Sequence, residues 1–76
     1  METVYVLIVS ETGSEQQVIE KLLMIDEIKE VNQMWGAYDI VVKVLGPTSD
    51  AVTEIITGKI RMIEDIKTTV SLIVSR

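Results

Sequence analysis

A seven-residue stretch of this chain nearly recurs at half its length, with four positions identical. Leu23-Met24-Ile25-Asp26-Glu27-Ile28-Lys29 returns as Arg61-Met62-Ile63-Glu64-Asp65-Ile66-Lys67, an offset of 38 in a chain of 76. The same offset pairs Val4 with Val42, Val6 with Val44 and Leu7 with Leu45. Self-similarity at a fixed period marks one structural unit used twice. Each unit reads as an apolar strand, a polar turn, a helical stretch, an acidic turn and a second strand, so the expected order is β-α-β-β-α-β.

The local signals agree with that order. Thr3 to Val9 is rich in β-branched and aromatic residues and reads as a strand. Ser10 to Ser14 breaks it, and Thr12 with Glu15, or Ser14 with Gln17, offers a capping box. Val18, Ile19, Leu22, Leu23 and Ile25 fall at helical spacing, which predicts a helix over about Ser14 to Met24. Ile28 to Trp35 reads as the second strand. Gly36-Ala37 is a glycine-first pair, as a two-residue type II′ hairpin requires, and Tyr38 to Leu45 follows as the third strand. Gly46 to Asp50 then starts a helix with apolar face Ala51, Val52, Ile55, Ile56 and Ile60, with Asp50 suited to its positive end. Ile66 to Ser75 reads as the last strand. Two right-handed βαβ halves interlock into a four-stranded antiparallel sheet with both helices on one face. The expected class is α+β, ferredoxin-like, as one domain over residues 1–76.

Composition narrows the function. A chain of this size buries only roughly 60% of its unfolded surface. With no cysteine, no disulfide reinforces so small a core, and 47% hydrophobic content points to oligomerisation as the remaining stabiliser. Histidine is also absent, removing the commonest metal ligand and general base, so neither a metal nor another cofactor is expected. Net charge is −5, and Lys21, Lys29, Lys43, Lys59, Arg61, Lys67 and Arg76 are scattered rather than clustered. Direct nucleic-acid binding needs a cluster of such residues and is not expected. No apolar run reaches the length of a membrane span and Met1-Glu2-Thr3 opens no signal peptide, so the expected location is cytoplasmic, away from membranes.

The strands carry a further message. A sheet with one face under helices and one in water should alternate apolar and polar residues. Here both sets in the first strand are apolar, and the third strand behaves similarly. Tyr5, Leu7, Val9, Val41, Leu45 and Ile73 are assigned to the open face, where they form an expected dimer interface, sheet against sheet.

One string is more specific than the rest. Gly36-Ala37-Tyr38-Asp39, feeding Ile40-Val41-Val42-Lys43-Val44, resembles the Gly-x-Tyr-Asp turn of the effector-binding (RAM) domain of the Lrp/AsnC transcription regulators. Thr69-Val70-Ser71-Leu72-Ile73-Val74 is similar to that family's Thr-x-Thr and apolar run. The resemblance implies a small effector, usually a free amino acid, bound between subunits of a homo-oligomer built from dimers. It places Gly36, Ala37, Tyr38, Asp39, Thr69 and Ser71 around that ligand. Exposed backbone N–H groups can hold a carboxylate, Asp39 can receive an ammonium, and hydroxyls complete the shell. Scaffold roles stand beside these. Gly36 serves the turn, Tyr38 the helix-covered core, Asp39 the hairpin backbone, and Thr69 and Ser71 the strand. Ala37 departs from the family's usual polar residue. The chain also begins at the first strand, as a stand-alone effector domain would, so regulation would run through effector binding or through a partner such as a full-length regulator.

Other features weigh less. Asp26-Glu27 and Glu64-Asp65 read as solvated turns, Met24 and Met62 as plugs at the core rim, and Trp35 as aromatic packing at a strand end. An enzyme reading rests on Asp39 or Glu30 beside Tyr5, with no nucleophile and base in reach of each other, and ranks below a binding module. An ACT-type amino-acid-binding domain shares the topology. A pure assembly partner with no ligand of its own is the other alternative.

Overall fold

Alternation along the first strand decides where the core lies. In the computed structural model, which describes residues 1–74, β1 (Glu2–Ser10) buries Val4, Val6 and Ile8 and leaves Tyr5, Leu7 and Val9 half-buried on the other side. β3 (Ile40–Gly46) alternates in the same way, with Ile40, Val42 and Val44 buried. It pairs antiparallel with β1 through Val4–Val44, Val6–Val42 and Ile8–Ile40. β2 (Ile28–Gln33) and β4 (Ile66–Ile73) complete an antiparallel sheet in the order β2-β3-β1-β4.

Both helical segments cover one face. α1 (Glu15–Leu22) contributes Val18 and Leu22, and α2 (Ser49–Ile55) contributes Val52 and Ile55 to the cluster built on Val4, Val6, Ile8, Ile40, Val42 and Val44. The side chain of Thr48 caps α2, accepting the Ala51 N–H at 3.1 Å. Ser14 is the N-cap of α1 but makes no such bond; instead the Glu15 carboxylate accepts the Gly13 N–H at 3.1 Å. The sheet order, the two helices on one face and the apolar helix faces match the expected ferredoxin-like architecture.

Four local expectations are corrected. α2 runs on into a π-helical turn over Ile56–Ile60, where the Arg61 N–H donates to the Ile56 carbonyl at 2.8 Å. Apolar periodicity does not register this widening, because Ile56 and Ile60 are buried all the same. The connection after β2 is not a two-residue turn. The Met34 N–H donates to the Asp39 carbonyl at 2.8 Å across Trp35, Gly36, Ala37 and Tyr38, with Gly36 at φ 121°. Trp35 is fully exposed at that tip rather than packed. Met24 and Met62 are 82% and 76% exposed, so neither plugs the core rim. Of the expected last strand, Ser75 lies outside the described residues.

Register also corrects one face assignment. β4 pairs with β1 through Val4–Ile73, Val6–Ser71 and Ile8–Thr69, and residues opposite each other share a face. Ile73 therefore belongs to the helix side, not to the open face. Its place there is taken by Val70 and Leu72, which pair with Leu7 and Tyr5. The open face thus presents Tyr5, Leu7, Val9, Val41, Leu45, Val70 and Leu72, with Lys43 among them opposite Tyr5.

Candidate functional site

The sheet has two edges, and one helps form a groove. β4 is the outer strand beside β1, and its helix-side residues Thr69, Ser71 and Ile73 face the flank of α2. That flank carries Ser49, Thr53, Thr57 and Arg61 at four-residue spacing, which keeps them on one side of a helix. The π-helical turn over Ile56–Ile60 contains Thr57 and ends immediately before Arg61, widening the helix where Arg61 meets the groove. Between the walls lies a cavity of about 250 Å³. The buried side chains of Val4, Val52 and Ile56 form its base, and Glu2 lies at its edge.

The walls are rich in hydroxyls and poor in internal ion pairs. The Thr57 hydroxyl donates to the Thr53 carbonyl at 2.9 Å, which leaves its lone pairs available to an incoming donor. The ion pairs among the described residues are Lys43–Glu30 at 3.5 Å and Lys59–Glu27 at 3.2 Å, and neither includes a groove residue. A second, broader depression, lined by Glu27, Ala51, Glu54, Gly58 and Lys59 among others, lies on the other side of α2. Its Lys59 is already bound to Glu27. The carboxyl of Glu27 is held below its ordinary value, first by a backbone N–H of its own residue and then by Lys59.

The six residues expected around a ligand separate into two groups. Thr69 and Ser71 line the groove. Gly36, Ala37, Tyr38 and Asp39 do not: they lie in the connection between β2 and β3, and its last residue, Asp39, is bonded to β1. Asp39 is occupied with the scaffold. Its Oδ2 accepts the Ser10 N–H at 2.9 Å and its own N–H donates to the Ile8 carbonyl at 2.9 Å. Ala37 is exposed, Tyr38 is half-buried, and a Cβ built on Gly36 meets nothing within 4 Å. The acid–base pairing around Tyr5 does not form either, since Glu30 bridges Lys43 and Asp39 holds Ser10. Sequence reasoning missed the α2 wall. Its signal was present as Ser49, Thr53, Thr57 and Arg61 at helical spacing beside the apolar face.

Among the described residues no group of three or more acidic side chains comes together to hold a metal ion, and no helix is long and apolar enough to cross a membrane.

The fold is that of a ferredoxin-like domain with a groove at one edge of its sheet. The sequence model of the Lrp/AsnC ligand binding domain matches residues 3–76, so the chain belongs to that family. Among solved structures, FFRP-DM1 is 39% identical with a TM-score of 0.94, covering 99% of this chain and 100% of its own. The hypothetical protein PHS023 from Pyrococcus horikoshii is 38% identical with a TM-score of 0.92, covering 100% and 92% respectively. AsnC of E. coli is 28% identical with a TM-score of 0.93; the match covers 99% of this chain and 51% of AsnC. No curated protein matches.

Proposed function

We propose that this domain is a non-catalytic, oligomeric effector-binding module of transcription regulation. It takes a free amino acid in the groove between α2 and β4 and acts without touching DNA itself. The observation that carries this reading is the groove. In a chain of a ligand-binding family, hydroxyls from two elements face each other over an aliphatic base, in a volume suited to a molecule of amino-acid size. The scattered basic residues and net charge of −5 support action through assembly or a full-length regulator rather than through direct contact with DNA in the cytoplasm.

Assembly is part of the proposal. The apolar open face, from Tyr5 and Leu7 to Val70 and Leu72, pairs with that of a second subunit. The hairpin carrying Gly36 to Asp39 lies away from its own groove, so it meets effector only if it reaches the groove of a neighbouring subunit. The fully exposed Trp35 at its tip supports that use, because an indole in water gains on burial at an interface. Effector would shift the oligomeric equilibrium by binding one association state better than the other.

The test is thermal unfolding in the presence of each of the twenty amino acids at millimolar concentration. A ligand at about 100 times its Kd stabilises by roughly 2.7 kcal/mol. A domain of this size shows that as a Tm rise of roughly 10 °C or more. No shift with any of them would replace the sensor with an assembly partner that binds no ligand of its own.

A further inference from the structure

The groove carries a charge at each end. Arg61 follows the π-helical turn at the C-terminal end of the helix, near the Thr69 end of β4. Glu2 begins β1 on the helix side, two residues before Val4, which pairs with Ile73. Both line the cavity, yet they are not within 4.0 Å of each other, and neither has an ion-pair partner among the described residues. A cation and an anion at opposite ends of one apolar-based groove, neither in an ion pair among the described residues, complement a ligand charged at both ends.

The length of the groove selects among such ligands. Ser49 to Arg61 spans roughly 17 Å of helix, and Thr69 to Ile73 roughly 13 Å of strand. The ammonium and carboxylate of an α-amino acid are only about 3 Å apart. They would contact both residues only with both side chains stretched along the groove, at a cost in rotamer entropy. A side chain ending in a cation places its charge about 7–8 Å from the carboxylate and bridges the ends with less strain on either. Its methylenes would lie on Val4, Val52, Ile56 and Ile73.

Resting on the effector reading above, the geometry points to an amino acid with a cationic side chain, of the lysine and ornithine class, as the preferred ligand. Arg61 holds its carboxylate, Glu2 its terminal ammonium, and the Thr57, Thr69 and Ser71 hydroxyls surround the α-ammonium. The corresponding position in the first half of the repeat is Leu23, so the cation belongs to the half that forms the groove.

The experiment compares L-lysine, L-norleucine and cadaverine on the wild-type chain and on Glu2→Gln and Arg61→Gln, by calorimetry and thermal shift. L-norleucine keeps the lysine skeleton without its ε-ammonium; cadaverine keeps both amines without the carboxylate. L-lysine should bind about tenfold to a hundredfold tighter than either analogue, as charge-assisted hydrogen bonds imply. Glu2→Gln should abolish the preference for L-lysine over L-norleucine and leave the affinity for L-norleucine unchanged. Arg61→Gln should weaken both ligands that carry a carboxylate. Arg61 is exposed and Glu2 half-buried, and the unliganded Tm serves as the control for folding. L-norleucine or L-leucine binding as tightly as L-lysine, or Glu2→Gln leaving the preference intact, would overturn this inference while the effector reading stands. No stabilisation of the wild-type chain by any of the twenty amino acids would overturn both.

Discussion

The carboxylate of Asp39 accepts the backbone N–H of Ser10 at 2.9 Å, 29 positions away in sequence. Ser10 is buried where β1 ends, and Asp39 stands immediately before β3. This one bond fastens the mouth of the exposed hairpin to the central strand. Asp39→Ala would leave a buried N–H without a partner and should cost about 1–3 kcal/mol, read as a lower urea midpoint. Asp39→Asn retains an acceptor oxygen and should cost much less. If Asp39 also receives an effector ammonium from a neighbouring subunit, the Asn variant will be stable and yet lose affinity.

Leu7 sits opposite Val41 on one side and Val70 on the other, in the middle of the open face. Leu7→Asp would place an unpaired carboxylate inside the proposed sheet-to-sheet interface. Light scattering at micromolar concentration should give a dimer or a multiple of it for the wild-type chain and a monomer for the variant. A monomeric wild-type mass would remove the interface.

Two glycines give opposite expectations. A Cβ at Gly46 would lie 2.7 Å from Cγ2 of Val52, a buried, β-branched side chain with little room to rotate. Gly46→Ala should therefore destabilise by about 1–3 kcal/mol. Gly58 lies in the π-helical turn with nothing within 4 Å of a built Cβ and no positive φ. Gly58→Ala should stabilise by roughly 0.4–1 kcal/mol by restricting the unfolded chain. Thermal melts of the two variants should move in opposite directions.

Glu27 gives stability an acid limb. Its carboxyl is held below its ordinary value by its own backbone N–H and by Lys59, so the folded state favours the ionised form. The resulting stabilisation is present above the ordinary carboxyl value and is lost as pH falls through the lower folded value. Glu27→Gln should flatten the fall in urea midpoint between about pH 6 and pH 3. Because the group is exposed, added salt should shrink the difference between variant and parent.

Much of the fold was legible in the residues. Val52, Ile55, Ile56 and Ile60 were placed on one helix face by spacing alone and are all buried. The element order followed from the repeat, and the four-stranded antiparallel sheet with both helices on one face from crossover handedness. The groove was only half legible. Thr69 and Ser71 line it, whereas Gly36 to Asp39 lie in the connection between β2 and β3 and do not. Periodicity reports which side of an element is apolar. It carries no information on which elements become neighbours at a sheet edge, and the α2 wall depends on that.

The sequence by itself determined what is local and periodic: the element order, the apolar faces, and the absence of histidine and cysteine chemistry. Tertiary structure decided what depends on register and on hydrogen bonds between distant residues. Pairing Val4 with Ile73 turned Ile73 from the open face to the groove, because in a strand a shift of one residue reverses every side chain. The bond from Ser10 bound Asp39 to the scaffold, and the bond from Arg61 to the Ile56 carbonyl widened the helix beside the groove. Each is a relation between two residues whose partner no single stretch of sequence identifies.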